Sequence, residues 1–242
     1  PFTVRFTPVA ADGTVDLDAM LRAVTDQTRL IIVCNPNNPT GGFLPLAAVQ
    51  DFLLKVPAHV AVVLDEAYWE MTDAALSGEK GSVDLLKDFP QLIITRTFSK
   101  YFALAGIRVG YALLADPRIK ENFLPRFGRE YNAVALAGAI AALKAEPAYH
   151  QRAMMIQKER QRLFYELTQL HLAPYPTQTN FIAFSWPDDG RPFADAAIHL
   201  RFGPTLDASG LARMTIGTPR QNDRVLEVMQ DWMQRSDAVL PS

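Results

Sequence analysis

Three uninterrupted apolar runs, Leu30 to Cys34, Val60 to Leu64 and Leu92 to Ile94, alternate with stretches of helical spacing. Each run is too short for a helix and shows no in-out alternation, so each reads as a buried strand. Between the first two, Pro45 opens a helix with Leu46, Val49, Phe52 and Leu53 on one face. Ahead of them, Asp16 caps a helix whose apolar positions are Leu17, Met20, Leu21 and Val24. Uniformly apolar strands interleaved with helices specify an α/β fold, with a mostly parallel sheet covered on both faces. In such a sheet, ligands sit beyond the carboxyl ends of the strands. The loops after Cys34, Leu64 and Thr95 share that end, so Asn38, Asp65, Tyr68 and Lys100 are expected to converge.

Lys100 closes the stretch Thr97-Phe98-Ser99-Lys100, with Arg108 eight residues later. Ala105 to Tyr111 reads as a second strand, entered through glycine. A lysine between two buried strands is costly unless it is paired or chemically used. Two hydroxyls and an arginine beside it suit an anion, and a phosphate fits best. Amine plus phosphate anchor is what pyridoxal phosphate requires; the plain alternative is a solvated loop with ordinary surface charges. Between the first two strands, Asn35-Pro36-Asn37-Asn38-Pro39-Thr40-Gly41-Gly42 forms a loop in which two prolines fix φ and the glycines allow tight geometry.

Elsewhere, Val4 to Val9 reads as a short strand and Asp12-Gly13 as a turn. Pro117 starts a helix that Pro125 interrupts, Tyr131 to Lys144 is an alanine-rich helix, and Ala148 to Leu170 is a long helix using Met154, Leu163, Leu167 and Leu170. Asn180 to Phe184 and Leu211 to Ile216 read as strands, and Phe193 to Leu200 and Asn222 to Gln234 as helices. The expected division is a large domain over residues 1–145 and a small α+β domain over residues 146–242 that includes the long linking helix. Composition is that of a soluble globular chain: 49% hydrophobic, 21% charged, net charge -2. No run of one sign marks a nucleic-acid or membrane surface, and no apolar stretch reaches the ~18 residues of a membrane span. The lone Cys34 forms no internal disulfide, reads as a small core residue and suits a reducing, cytoplasmic compartment. His59, His150, His171 and His199 lack metal-ligand spacing and read as structural or exposed. Pro1-Phe2-Thr3-Val4-Arg5-Phe6 reads as the middle of a fold, so an N-terminal portion is expected to be missing.

Four segments then occur in one order: Asn38-Pro39-Thr40-Gly41, Asp65-Glu66-Ala67-Tyr68, Thr97-Phe98-Ser99-Lys100 with Arg108, and Arg213-Met214-Thr215-Ile216-Gly217. That order resembles the class I/II pyridoxal-phosphate-dependent aminotransferases of the aspartate aminotransferase fold, and the wording is most similar to histidinol-phosphate aminotransferase and its relatives. The resemblance implies a fold-type I transferase, pyridoxal 5'-phosphate as cofactor, a homodimer, and a place in amino-acid metabolism such as histidine biosynthesis. It implies that Lys100 carries the cofactor as a Schiff base and moves the proton, and that Asp65 pairs with the ring nitrogen. Tyr68 and Asn38 would bind the ring oxygen, Thr97, Ser99 and Arg108 the phosphate, and Arg213 the substrate carboxylate. Asn180 and Arg201 are further substrate-binding candidates. The implied substrates are a small-molecule amino donor and a 2-oxo acid acceptor: glutamate against an amino acid or amino-alcohol phosphate, histidinol phosphate leading. The glycine turn and the stacking aromatic that the family draws from its N-terminal part are not in this sequence.

Each residue also has a plainer reading: Asn38 as loop scaffold, Asp65 as a cap, Tyr68 as core, Ser99 as a backbone cap, Arg213 as a strand-edge charge. A lyase or decarboxylase on the same fold, or a sensor domain of a transcription regulator, would use much the same set. Val60 to Glu66 also has the form of a Walker B strand, but no G-x-x-x-x-G-K-[ST] match accompanies it and Ser77 to Ser82 does not supply one.

Overall fold

The computed structural model describes residues 2–119, 121, 132–187, 190–203 and 210–237. Strands β1 (Leu30–Cys34), β2 (Ala61–Asp65) and β3 (Leu92–Thr97) pair in parallel, and β4 (Gly110–Leu114) adds antiparallel to β3. In register, Cys34 stands beside Asp65 and Asp65 beside Thr95, so the carboxyl ends form one row. Helix α1 (Leu17–Ala23) starts where the sequence places it, with the Asp16 carboxylate accepting from the Ala19 amide at 2.7 Å. Helix α2 (Leu46–Lys55) buries Val49, Phe52 and Leu53 against Val33, Val62, Leu64, Leu92 and Ile94. Leu46, assigned to that face by spacing, is exposed instead, because it lies in the first turn, at the helix edge.

Several expectations need correction. Residues 4–9 form no strand; only Val9 makes a bridge, to Val15, and Val4 and Phe6 are exposed with no neighbouring strand among the described residues. Among the described residues nothing covers the outward face of β1, where Leu30 and Ile32 are exposed. The segment Ala105–Ile107 is a 3₁₀ turn, and β4 begins at Gly110 with its first residues exposed, so Lys100 does not lie between two buried strands. Gly110 fits there because a Cβ would come within 2.8 Å of the Arg96 carbonyl. Residues 117–119 and 121 are helical, whereas Pro125 and Tyr131 lie outside the described residues.

Helix α4 (Ala133–Lys144) follows the short α3 (Asp73–Leu76), and α5 (Glu146–Gln169) is the long helix. The amino-terminal half of α5 packs Ala153 with Phe98, Tyr101 and Phe102, while Leu163 and Leu167 enter a second core. Met154 points to solvent. That second core lies against an antiparallel sheet ordered β5-β7-β6, formed by Phe181–Ser185, Leu211–Thr215 and Arg201–Phe202. Helix α6 is the short Arg191–Asp195, not a helix to Leu200, because Ala197 takes a positive φ and the chain then enters β6. Helix α7 (Pro219–Asp237) closes the sheet with Val225, Leu226 and Met229. No helix among the described residues is long and apolar enough to cross a membrane.

Phe184 is fully buried in β5, with its ring edge-on to Trp186 at 6.5 Å. Phe184→Ala is expected to cost about 3–5 kcal/mol in urea unfolding; a loss under about 1 kcal/mol would mean that this core is not packed.

Candidate active site

The three parallel carboxyl ends are knitted together by backbone. The Asn35 amide donates to the Asp65 carbonyl and the Glu66 amide to the Thr95 carbonyl, both at 2.9 Å. From the first end springs the proline loop. It is braced by Asn35, whose side chain donates to the Leu44 carbonyl and accepts from the Leu44 amide, and by Asn37 and Gly41 pairing across the turn. Gly41 has φ +89°, and a Cβ there would strike the Thr177 hydroxyl at 2.1 Å, so the loop lies directly on the chain leading to β5. Asn38 is exposed at its tip, where its side-chain oxygen accepts from the Arg213 guanidinium.

Asp65 ends β2 half-buried, and one carboxylate oxygen accepts from the Ala67 amide at 3.0 Å. That bond closes a local turn and caps no helix, since the 3₁₀ segment Trp69–Met71 starts from Tyr68 without a side-chain cap. Tyr68, three residues on, is buried, with its ring against two partners: the Lys100 ammonium 5.0 Å from its centroid and the Phe181 ring at 5.3 Å, edge-on. Arg213 on β7 lies 4.7 Å over the same Phe181 ring. Lys100, Tyr68, Phe181, Arg213 and Asn38 thus form one unbroken line of contacts drawn from five separate segments.

The hydroxyl loop is self-contained. Thr97 Oγ1 accepts from the Ser99 amide at 3.0 Å and donates to the Ser99 hydroxyl at 2.9 Å, so the backbone-capping hydroxyl is that of Thr97, not of Ser99. Arg108 is not in a strand: it follows the 3₁₀ turn with φ +54°, is exposed, and donates to the Ala105 carbonyl. Its neighbour Val109 accepts from the Phe98 amide at 3.2 Å, which holds this corner against the hydroxyls. Asn180 precedes β5, and its carbonyl accepts from the Ile216 amide. Arg201 opens β6 directly across from Arg213. Burial holds the Arg213 guanidinium below its usual pKa; Arg201 pushes the same way and the Tyr68 hydroxyl opposes both. Two facing guanidiniums favour an anion between them. They line a cleft of about 380 Å³ with His199, Leu200 and Thr215.

Sequence reading missed Phe181, taken only as a strand residue, and missed that the exposed His199 borders this cleft. An aromatic directly after Asn180 is the signal that could have found Phe181. Cys34 is half-buried, not core, and its thiol is pushed up to about 11, first by burial and then by Asp65.

A family model described as aminotransferase class I and II matches residues 1–229. Among curated proteins, the chain is 39% identical over 227 residues to an aromatic amino acid aminotransferase of Cutibacterium acnes, covering 92% of this chain and 62% of that protein. It is 36% identical over 233 residues to a histidinol-phosphate aminotransferase of Bacillus velezensis, covering 94% and 64%. Among solved structures, histidinol-phosphate aminotransferase from Sinorhizobium meliloti, in complex with pyridoxal-5'-phosphate, superposes with a TM-score of 0.79 at 29% identity, covering 93% of this chain and 64% of that one. The chain thus spans less than two thirds of the length of these relatives.

Behind the Tyr68 turn, Arg96 donates twice to a Glu66 oxygen, at 2.9 and 2.6 Å, and lies 5.7 Å over Trp69. Glu70 adds a second carboxyl whose Oε2 is buried without a partner among the described residues. Burial pushes its pKa up to about 7, and Glu66 adds to the rise while Arg96 opposes it. The folded state therefore keeps a proton that the unfolded chain releases above its ordinary value of 4.5, so this group's contribution falls as pH rises from 4.5 to 7. Glu70→Gln removes that penalty. Relative to wild type it should gain on the order of 1–3 kcal/mol between pH 4.5 and pH 8 in denaturant titrations; a pH-independent difference would refute the assignment.

Proposed function

The chain belongs to the aminotransferase class I and II family, and from that premise we propose that it is the greater part of a pyridoxal-phosphate-dependent aminotransferase. Its reaction moves an amino group between glutamate and an amino acid or amino-alcohol phosphate, histidinol phosphate first. The observation that carries this reading is the contact line from Lys100 through Tyr68 and Phe181 to Arg213 and Asn38. It runs from an amine to a guanidinium that would take a substrate carboxylate, with Asp65 on the adjoining strand end.

The donor set suits the cofactor: a primary amine, a carboxylate for a pyridinium nitrogen, a phenol and an amide for a ring oxygen, and two hydroxyls with an arginine for a phosphate. Lys100 would hold the cofactor and then move a proton to and from the substrate Cα. Asp65 would keep the ring nitrogen protonated, and Tyr68 and Asn38 would orient the ring. Thr97, Ser99 and Arg108 would take the phosphate. Pyridoxal phosphate, when bound, supplies an electron-withdrawing ring that makes the Cα–H acidic. Arg213 would fork onto the substrate carboxylate, exchanging its contact with Asn38 for the anion. Asn180 would sit near that carboxylate, and Arg201 across the strands would meet a second anionic group.

Histidinol phosphate is supported by the paired guanidiniums and by the wording of residues 35–41 and 213–218. Aromatic amino acids are the other named specificity among the relatives. The reading extends to a homodimer, to the cytoplasm, and to a division near residue 145, with α5 packing its amino-terminal half on the first part and its carboxyl-terminal half on the second.

Borohydride treatment of cofactor-loaded full-length protein, followed by peptide mapping, should place the cofactor on Lys100; a label on another lysine removes its role. Substrate is decided by mixing loaded protein with single amino donors and following loss of the cofactor's absorbance. Histidinol phosphate should react fastest. If phenylalanine outpaces it, the enzyme is an aromatic aminotransferase. If no donor reacts, glutamate included, a lyase, a decarboxylase or a regulatory domain replaces the present reading.

A further inference from the structure

Arg160 lies on α5 with its side chain 5% exposed, and no role in the reaction falls to it. A guanidinium buried this deeply is costly unless all its donors are used. Nη1 donates to the Met71 carbonyl at 2.9 Å and, more weakly, to the Thr179 carbonyl at 3.4 Å. Nη2 donates to the Asp73 carboxylate, with Gln178 at 3.4 Å. Asp73 is in turn held by Gln157 at 2.6 Å and by Gln178 at 3.1 Å, and its amide donates to Gln178 at 2.8 Å. Burial lowers the guanidinium's pKa and Asp73 works against that shift, as for a desolvated ion with one carboxylate partner.

The chain positions of these acceptors matter more than their number. Met71 and Asp73 follow Tyr68, and Thr179 and Gln178 precede Asn180 and Phe181. Tyr68 and Phe181 are the two rings in edge contact, and the latter carries Arg213. One side chain therefore ties both loops from beneath. We propose that Arg160 is a positioning residue for the substrate-carboxylate clamp: by bolting residues 71–73 to residues 178–179 it sets the Tyr68–Phe181 contact, and through it the place of Arg213. This rests on the aminotransferase reading above. A bolt made only for stability would serve as well between any two loops, whereas this one joins the two that meet at the clamp.

The test uses the full-length, cofactor-loaded protein. Arg160→Met should raise the half-saturating concentration of amino donor by about tenfold or more, since hydrogen bonds to a charged group are lost. It should leave the maximal half-reaction rate within about threefold, because no group that touches the reacting atoms is removed. Binding of succinate, a non-reacting dicarboxylate, followed by the change in cofactor absorbance, should weaken in parallel. Arg160→Lys should recover part of the loss, since an ammonium can reach only some of these acceptors. Should Arg160→Met fail to fold, Asp73→Asn weakens the same bolt from its half-exposed side and should shift both constants in the same direction. A lower melting temperature with donor and succinate constants within about twofold of wild type would overturn the proposal, as would a fall in maximal rate alone. Wild-type protein that reacts with no donor defeats the aminotransferase reading by itself, and the succinate constants then still decide for or against Arg160.

Discussion

Parallel pairing of β1, β2 and β3 sets Cys34, Asp65 and Thr95 in one row, and each chain leaves the sheet there carrying its polar residues outward. That row is held by backbone bonds from Asn35 to Asp65 and from Glu66 to Thr95, so it depends little on any side chain. Slipping one strand by a single residue would turn Asp65 to the other face and bring Glu66 in its place. The apolar alternation of Val62 and Leu64 against Val33 and Ile94 prevents that slip. Core packing on one side of the sheet thus sets which acid faces the site on the other.

The turn from Asp65 to Asp73 is clamped between two guanidiniums, the buried Arg160 and the partly buried Arg96. Arg96 grips Glu66 on one side, and Arg160 grips Met71 and Asp73 on the other. Buried ion pairs contribute little net stability, but removing one partner leaves an uncompensated charge at a cost of about 3–5 kcal/mol. Such pairs are well suited to holding a segment in one conformation. Here the held segment bears Tyr68, which meets both Lys100 and Phe181. Glu70, protonated more readily than an ordinary carboxyl, sits in the same turn and makes its stability sensitive to pH near neutrality.

Arg213 illustrates how the second sheet serves the first. It lies on β7, far in sequence from Asn38, Asp65, Tyr68 and Lys100, yet it rests on Phe181 and reaches Asn38. The neighbouring Arg201 stands directly across the strands from Arg213. Like charges on adjacent strands are unfavourable by themselves. An anion between them relieves that repulsion, which gives the cleft beside them its chemical sense.

Strand runs, the capped α1, the buried face of α2 and the convergence of Asn38, Asp65, Tyr68 and Lys100 at one sheet end follow from local pattern alone. Apolar period, capping residues and parallel topology are encoded within a few residues of one another. The candidate residues from Asn38 to Arg213 were named from four ordered segments and the family resemblance they carry, and their residue types suit an amine, a phosphate and a carboxylate. Local pattern misled where neighbours decide. Residues 4–9 have strand composition but, among the described residues, no strand to pair with, and the stretch after Ala105 turns through a 3₁₀ segment and a positive φ at Arg108 before pairing. Only tertiary structure revealed Phe181 as the platform between Tyr68 and Arg213, the facing of Arg201 and Arg213, and the burial of Arg160 under two loops. Each of these joins segments remote in sequence, and a contact between distant segments leaves no periodic trace in either one.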